Sequence, residues 1–287
     1  MRTARRIMVV VSAAVLGSAG VTVGLSVVGT PAIAASGSAA PAATVNMEAV
    51  VKAAQIDPRR PGTALTPGAE DSVLLVEKAL AAKKLLAAKY VDGHFGTRTV
   101  DAYAAYQRKL GYTGLDASGL PGRTSLQKLG AGRFSVNHVL TPGKRLSSHG
   151  ATMNARTKAM LAKAEDRLGR TLTITQGSYN PGGDPSSAGT HDGGGVLDIS
   201  VRNMSTSTQT KVVRTLRQVG FAAWRRTPSQ GDWPFHIHAV AISDTDMSPA
   251  AQHQVGDYYL GRNGLANRAP DDGPKVRKVT WEEFRRG

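Results

Sequence analysis

His191-Asp192-Gly193-Gly194-Gly195-Val196-Leu197-Asp198 and, further along, Phe235-His236-Ile237-His238-Ala239-Val240-Ala241-Ile242 are the two stretches on which the fold turns. Val196 to Val201 alternates as a strand does, and so does Phe235 to Ile242. Side chains on a strand alternate faces, so His236 and His238 share one side while Phe235, Ile237, Ala239 and Ala241 line the other, apolar side. The three glycines let the chain turn sharply after His191 before it enters the strand carrying Asp198. An imidazole and a carboxylate can therefore converge on the histidines of the second strand. Two His and one Asp with a fourth position open is a catalytic zinc composition, with metal–ligand distances of ~2.0–2.2 Å. Two histidines at i, i+2 in an otherwise apolar strand are also costly to bury without a partner.

Around these stretches, Ala155 to Leu168 reads as an amphipathic helix and Thr171 to Thr175 as a strand. Thr208 to Val219 reads as a helix stopped by Gly220, and Ser248-Pro249 opens a helix running to Leu260 with Gly261 just beyond. Helices and strands interleave without a regular βαβ rhythm, so the expectation for 134–266 is an α+β domain with a small antiparallel sheet. The charged tail, 267–287, is expected to pack loosely, with Trp281 and Phe284 as its means of docking.

Upstream the pattern is helical. Val73, Val76, Leu80 and Leu85 recur at helical spacing, as do Ala102, Tyr106 and Leu110. Between them lies Val91-Asp92-Gly93-His94-Phe95-Gly96, a turn whose two glycines permit positive φ, whose Phe95 can plug a space between helices, and whose His94 is expected to be solvated. A looser copy runs from Leu115 through Asp116, Gly119, Gly122 and Thr124 to Leu126 and Leu129. Residues 67–130 thus form a separate helical domain, and 35–66, rich in Ala, Pro, Gly, Ser and Thr, read as a linker with one short helix at Met47 to Ile56.

The first residues read as an export signal, 1–34: a basic start at Arg2, Arg5 and Arg6, an uncharged apolar run from Ile7 to Val28, and the small-x-small site Ala32-Ile33-Ala34. The run is long enough to span a membrane, but the Gly29 and Pro31 break before that site favours cleavage, and no stable membrane association afterwards. Arg5-Arg6 leaves the export route open between the general and the twin-arginine pathways. The chain has 287 residues and no cysteine, so an exported form is held by its core, by metal, or by both. Its net charge of +15 falls to +12 without the three signal arginines, which suits attraction to the anionic cell envelope. Nucleic acid is not expected as a partner, because the chain offers no base-stacking aromatic stripe or reading helix.

Asp92-Gly93-His94-Phe95-Gly96-Thr97-Arg98-Thr99, with Tyr106-Gln107 after it, resembles the peptidoglycan-binding module of bacterial cell-wall hydrolases. That module has an Asp-Gly-x-Phe-Gly-x-x-Thr turn, an aromatic-Gln pair and a second such turn; here Ala117 stands where the second turn has Gly. The resemblance implies a three-helix bundle with peptidoglycan as partner. His191-x6-Asp198 with His236-x-His238 is in turn similar to the zinc D-alanyl-D-alanine peptidases, whose fold is shared by phage endolysin peptidases and the hedgehog signalling domain. That likeness implies a Zn2+ cofactor with His191, Asp198 and His238 as ligands and His236 beside the metal, assisting the water or the transition state. It also locates two departures. Many members carry an acidic general base three residues before the last ligand, where this chain has Phe235; Asp232, six residues before His238 as in the hedgehog branch, is the expected base instead. The family's carboxylate-gripping arginine is absent from Gln176-Gly177-Ser178-Tyr179-Asn180, with Arg202, Arg225 and Arg226 as replacements among which the sequence selects none. Together the two resemblances imply a secreted, cell-wall zinc peptidase cutting peptidoglycan stem peptides, as carboxypeptidase or endopeptidase. The rival reading is a zinc-containing wall-binding protein without hydrolysis.

Overall fold

The computed structural model describes residues 43–287, all within one compact unit. The export signal and its cleavage site lie outside the described residues, as does the start of the expected linker. The class is α+β. β1 (Thr44–Asn46) leads into α1 (Met47–Ile56), followed by α2 (Glu70–Ala82), α3 (Thr97–Lys109) and α4 (Arg123–Gly130). β2 (Ser135–Asn137) pairs parallel with β1, and β3 (Arg145–Ser148) forms a hairpin with β4 (Ala151–Asn154). Then come α5 (Ala155–Leu168), β5 (Ile174–Gln176), β6 (Val196–Ser200), α6 (Thr206–Gln218), β7 (Phe221–Arg226), β8 (His236–Ala241), α7 (Pro249–Tyr259) and α8 (Trp281–Arg286). Among the described residues no helix is long and apolar enough to cross a membrane.

The turn sequence of residues 92–99 is built on one buried carboxylate. Glu77 of α2 accepts from the backbone N–H groups of Asp92 (3.0 Å) and Gly93 (2.8 Å) and from the Thr99 hydroxyl (2.9 Å). Gly93 takes a φ of 82°, as expected, whereas Gly96 is extended at −72° and serves as the N-cap of α3. Phe95 is fully buried against Tyr103. His94 is not the solvated residue its turn position suggests: it lies over Asp57, with Nδ1 3.2 Å from the Ala64 carbonyl. Gln107 fastens the second turn, accepting from Gly119 N–H (2.8 Å) and donating to Leu120 O (2.9 Å), so the Gln of the aromatic-Gln pair is a structural clamp.

Two further expectations need correction. α1 lies within the stretch read as linker, yet Met47, Val50, Val51, Ala53, Ala54 and Ile56 are all buried, and the helix packs on α7. The short helix read at Met47 to Ile56 is present, capped by the Asn46 side chain accepting from Ala49 N–H, but it is part of the core and not of a linker. The tail is also firmly held. Thr280 and Glu283 form a capping box that starts α8, Trp281 and Phe284 pack on the apolar core, and Arg156 grips Glu282 at 2.7 Å. Lys52 to Glu283 (2.9 Å) and Arg286 to Glu48 (2.6 Å) join α8 to α1.

The four-stranded sheet has the order β5-β6-β8-β7 with every neighbour antiparallel. Leu197, Ile199, Phe221, Ala223, Ile237, Ala239 and Ala241 share one apolar core with α5 and α6 residues such as Met160, Leu161, Val212 and Leu216. From the other face, Val196, Ala222, Trp224 and Val240 join a core that also holds Val50, Val73, Leu80, Phe95, Leu126 and Val255. That core crosses the expected boundary between helical domain and sheet domain. Asp198, His236, His238 and Arg226 project from this second face.

Candidate metal centre

Register sets the site. Asp198 of β6 lies opposite His238 of β8, which lies opposite Trp224 of β7; one row along, Ser200, His236 and Arg226 are matched in the same way. Two rows of side chains on one face of the sheet thus bring a carboxylate and two imidazoles together, as the alternation required. His191 arrives from the preceding loop. A Cβ on Gly193 would collide with the carbonyl of Asp246 and the N–H of Ser248, and Gly195 has a φ of 82°. The glycines therefore let the loop press against residues 246–248 and turn into β6, leaving His191 fully buried.

His191, Asp198 and His238 form a buried group whose ligating atoms all lie within 4.8 Å of one another and can hold a metal ion. The tautomers follow from the hydrogen-bond partners. His191 Nδ1 lies 2.8 Å from the Gly177 carbonyl, which can only accept, so Nδ1 carries the proton and Nε2 is bare. That Nε2 is buried without a hydrogen-bond partner, 3.3 Å from Asp198 Oδ2. His238 Nε2 lies 2.8 Å from Gln254 Oε1, and the amide's orientation is set by its Nε2 donating to Gly264 O at 3.2 Å. His238 Nε2 is therefore the donor, and its bare Nδ1 faces Asp198 Oδ1 at 2.8 Å.

Neutral imidazoles so arranged put two lone pairs against one carboxylate. A cation among the three turns that repulsion into ligation, and the hydrogen bonds to Gly177 and Gln254 are the kind that hold ligating histidines in place. Protonating the rings is the other way to relieve the clash, but burial pulls the His238 imidazole below its ordinary value. The donor set fits a metal ion.

His236 stands beside the group with Nε2 3.7 Å from Asp198 Oδ1, and its Nδ1 is held by the Pro234 carbonyl at 2.8 Å. The expected general base is not brought in. Asp232 is exposed and does not line the cleft, because Trp233 takes the inward position, edge-on to His236. Phe235 is 53 % exposed at the rim, clear of the strand's apolar face where the alternation had put it. The cleft, about 1060 Å³, is bounded by these residues, the 184–190 loop, α7 and the 264–268 loop. Of the three candidate arginines only Arg226 lines it. Gln254 went unforeseen, since an isolated glutamine on a helix carries no sign of what it will face. Models of known protein families give no match to this chain, and neither do curated protein sequences.

Proposed function

We propose that this protein is a secreted zinc peptidase hydrolysing the stem peptides of peptidoglycan, with the helical segment binding the polymer. The observation that carries the reading is the buried convergence of His191, Asp198 and His238, whose ligating atoms all lie within 4.8 Å of one another. Two nitrogens and one carboxylate oxygen suit zinc, which in catalytic sites takes three protein ligands and keeps a position open. Bound there, zinc would supply Lewis-acid polarisation of a scissile carbonyl and lower the pKa of water. His236 does the proton work: its Nδ1–H is committed to Pro234 O, so Nε2 takes the proton of the attacking water and returns it to the amine as the C–N bond breaks. The open cleft admits an extended peptide, and the 92–99 turn, matching the wall-binding signature, supports peptidoglycan as partner and the cell wall as location.

A second reading is a zinc-containing wall-binding protein without hydrolysis, favoured by the exposure of Asp232 and the absence of an acidic residue at position 235. Incubating the zinc-loaded protein with defined muropeptides and separating the products by mass decides between them. Release of D-alanine or of a cut cross-link supports the peptidase; intact muropeptides with zinc fully bound support the binder.

A further inference from the structure

One wall of the cleft is a single face of α7. Ala250, His253, Gln254 and Asp257 all line it, at the i, i+3, i+4, i+7 spacing of one side of a helix. Gln254 turns to the metal group through His238. One turn farther along, Asp257 turns to two arginines that also line the cleft. Arg59, in the turn that follows α1, donates to it from Nε at 3.1 Å and from Nη2 at 3.0 Å. Arg268, on the loop after α7, donates from Nε at 3.0 Å, and its Nη2 reaches the Arg59 carbonyl at 3.2 Å.

The clamp carries more charge than it needs. The bidentate pair with Arg59 already satisfies Asp257, so the second guanidinium leaves one positive charge over. Among the described residues no other carboxylate lies within ion-pair distance of either arginine. The Asp257 side chain is 4 % exposed, whereas those of Arg59 and Arg268 keep 22 % and 41 % of their surface open. Neither Nη1 has a hydrogen-bond partner among the described residues, and neither is shut off from solvent. A cleft wall with an excess cation concentrates its field on whatever enters.

Both arginines are also fixed in place. A Cβ on Gly256 would run into Arg59 Cγ, so the bare backbone of α7 is what lets that side chain lie along the helix. Arg268 holds a φ of 47°, in the left-handed region that a residue with a side chain rarely adopts. Such strain gathers where a side chain must be aimed at a ligand.

We propose that Arg59 and Arg268 together form an anion subsite, away from the metal group, that takes an internal carboxylate of the substrate peptide. The ligand's identity rests on the peptidase reading; the subsite itself does not require hydrolysis. One turn of α7 carries the wall about 5 Å beyond Gln254, and an extended peptide advances about 3.3 Å per residue. A carboxylate two or three residues from the amide at the metal group therefore suits the spacing. In a stem peptide that group is the free α-carboxylate of the γ-linked glutamyl residue.

The test uses two synthetic pentapeptides, L-Ala-γ-D-Glu-L-Lys-D-Ala-D-Ala and the same chain with the glutamyl α-carboxylate converted to its amide. Binding of each to the zinc-loaded full chain is measured by calorimetry, and products are separated by mass in parallel. The parent is expected to bind the acid roughly ten-fold more tightly than the amide, as charge-assisted hydrogen bonds imply. Arg268→Gln leaves Arg59 on Asp257, and it should bring that ratio to about two or less with zinc content and amide affinity unchanged. Arg59→Lys, the second variant if the first does not fold, should lower the ratio in the same direction. Equal affinities in the parent, a ratio retained in a folded variant, equal losses for acid and amide, or no binding of either peptide overturns the subsite. Equal affinities with both peptides cut leaves the peptidase standing without it. Acid-selective binding that the variants lose, with neither peptide cut, upholds the subsite and removes the peptidase.

Discussion

Glu77 and Asp198 are both buried carboxylates on regular elements, and they are partnered in opposite ways. Glu77 meets donors: two backbone N–H groups and a hydroxyl that the turn at 92–99 presents to it. Asp198 meets bare ring nitrogens, held in that state by Gly177 and Gln254. The first carboxylate completes a turn; the second belongs to a buried group that can hold a cation. Burial alone does not separate structure from function. The donor or acceptor character of the neighbours does.

The strongest way to break the comparison is Asp198→Asn. It should abolish stable zinc binding in a metal-content assay, a larger loss than the roughly 10–100-fold expected from residues behind the ligands. Chelator should then no longer lower the melting temperature, as it should in the parent, where metal binding is coupled to folding. Unchanged zinc content would remove the metal centre.

Next in size is His236→Ala. Its imidazole is outside the ligand set, so hydrolysis should fall by about 10²–10⁴-fold while zinc stays bound. Asp232→Asn, exposed and away from the cleft, should leave turnover within about two-fold, on the ordinary expectation for surface substitutions. Reversed effects would put the proton work on Asp232.

Gln254→Ala sharpens the point about tautomers. Without the amide oxygen, His238 can place its proton on either nitrogen, and zinc affinity should drop by roughly 10–100-fold in a competition titration with a chelator. An affinity equal to the parent's would mean that the tautomer is held by something else.

The smallest effect tests the structural carboxylate. Burial raises the Glu77 carboxyl from 4.5 to about 7. Between those values the unfolded chain has released this proton while the folded protein keeps it, so stability contributed below pH 4.5 is lost as pH rises toward 7. Glu77→Gln retains an acceptor for the two N–H groups and should flatten that fall, by on the order of 2–3 kcal/mol across the window, with zinc binding unaffected. Parallel pH profiles for parent and variant in chemical denaturation would refute the assignment.

Local pattern made much of this legible. Strand alternation placed His236 with His238, and the glycines after His191 announced the turn that delivers it. Amphipathic spacing marked α5, and caps and stops marked α6 and α7 to within a few residues. Other features depend on what lies across space. β7 escaped notice because Phe221 to Trp224 is buried on both faces and so does not alternate. Asp232 was placed by its distance along the chain from His238, but Trp233 claims the inward direction. Arg226 was indistinguishable from Arg225 in sequence; one residue of register puts one of them beside His236 on the cleft side and leaves the other on the opposite face.

The joining of α8 to α1 bears on how such a chain acquires its structure. Lys52 meets Glu283 and Glu48 meets Arg286, partners 231 and 238 residues apart, and Gln55 reaches Met247 across 192. Contacts of such separation impose a large loop-closure cost before they return any stabilisation, so the topology belongs with slowly folding, high-contact-order proteins. A chain growing from its N-terminus holds α1 without its final neighbours until α7 and then α8 have emerged. The apolar face of α1, with Val50, Val51 and Ala54, is thus a natural surface for a chaperone to hold while synthesis continues.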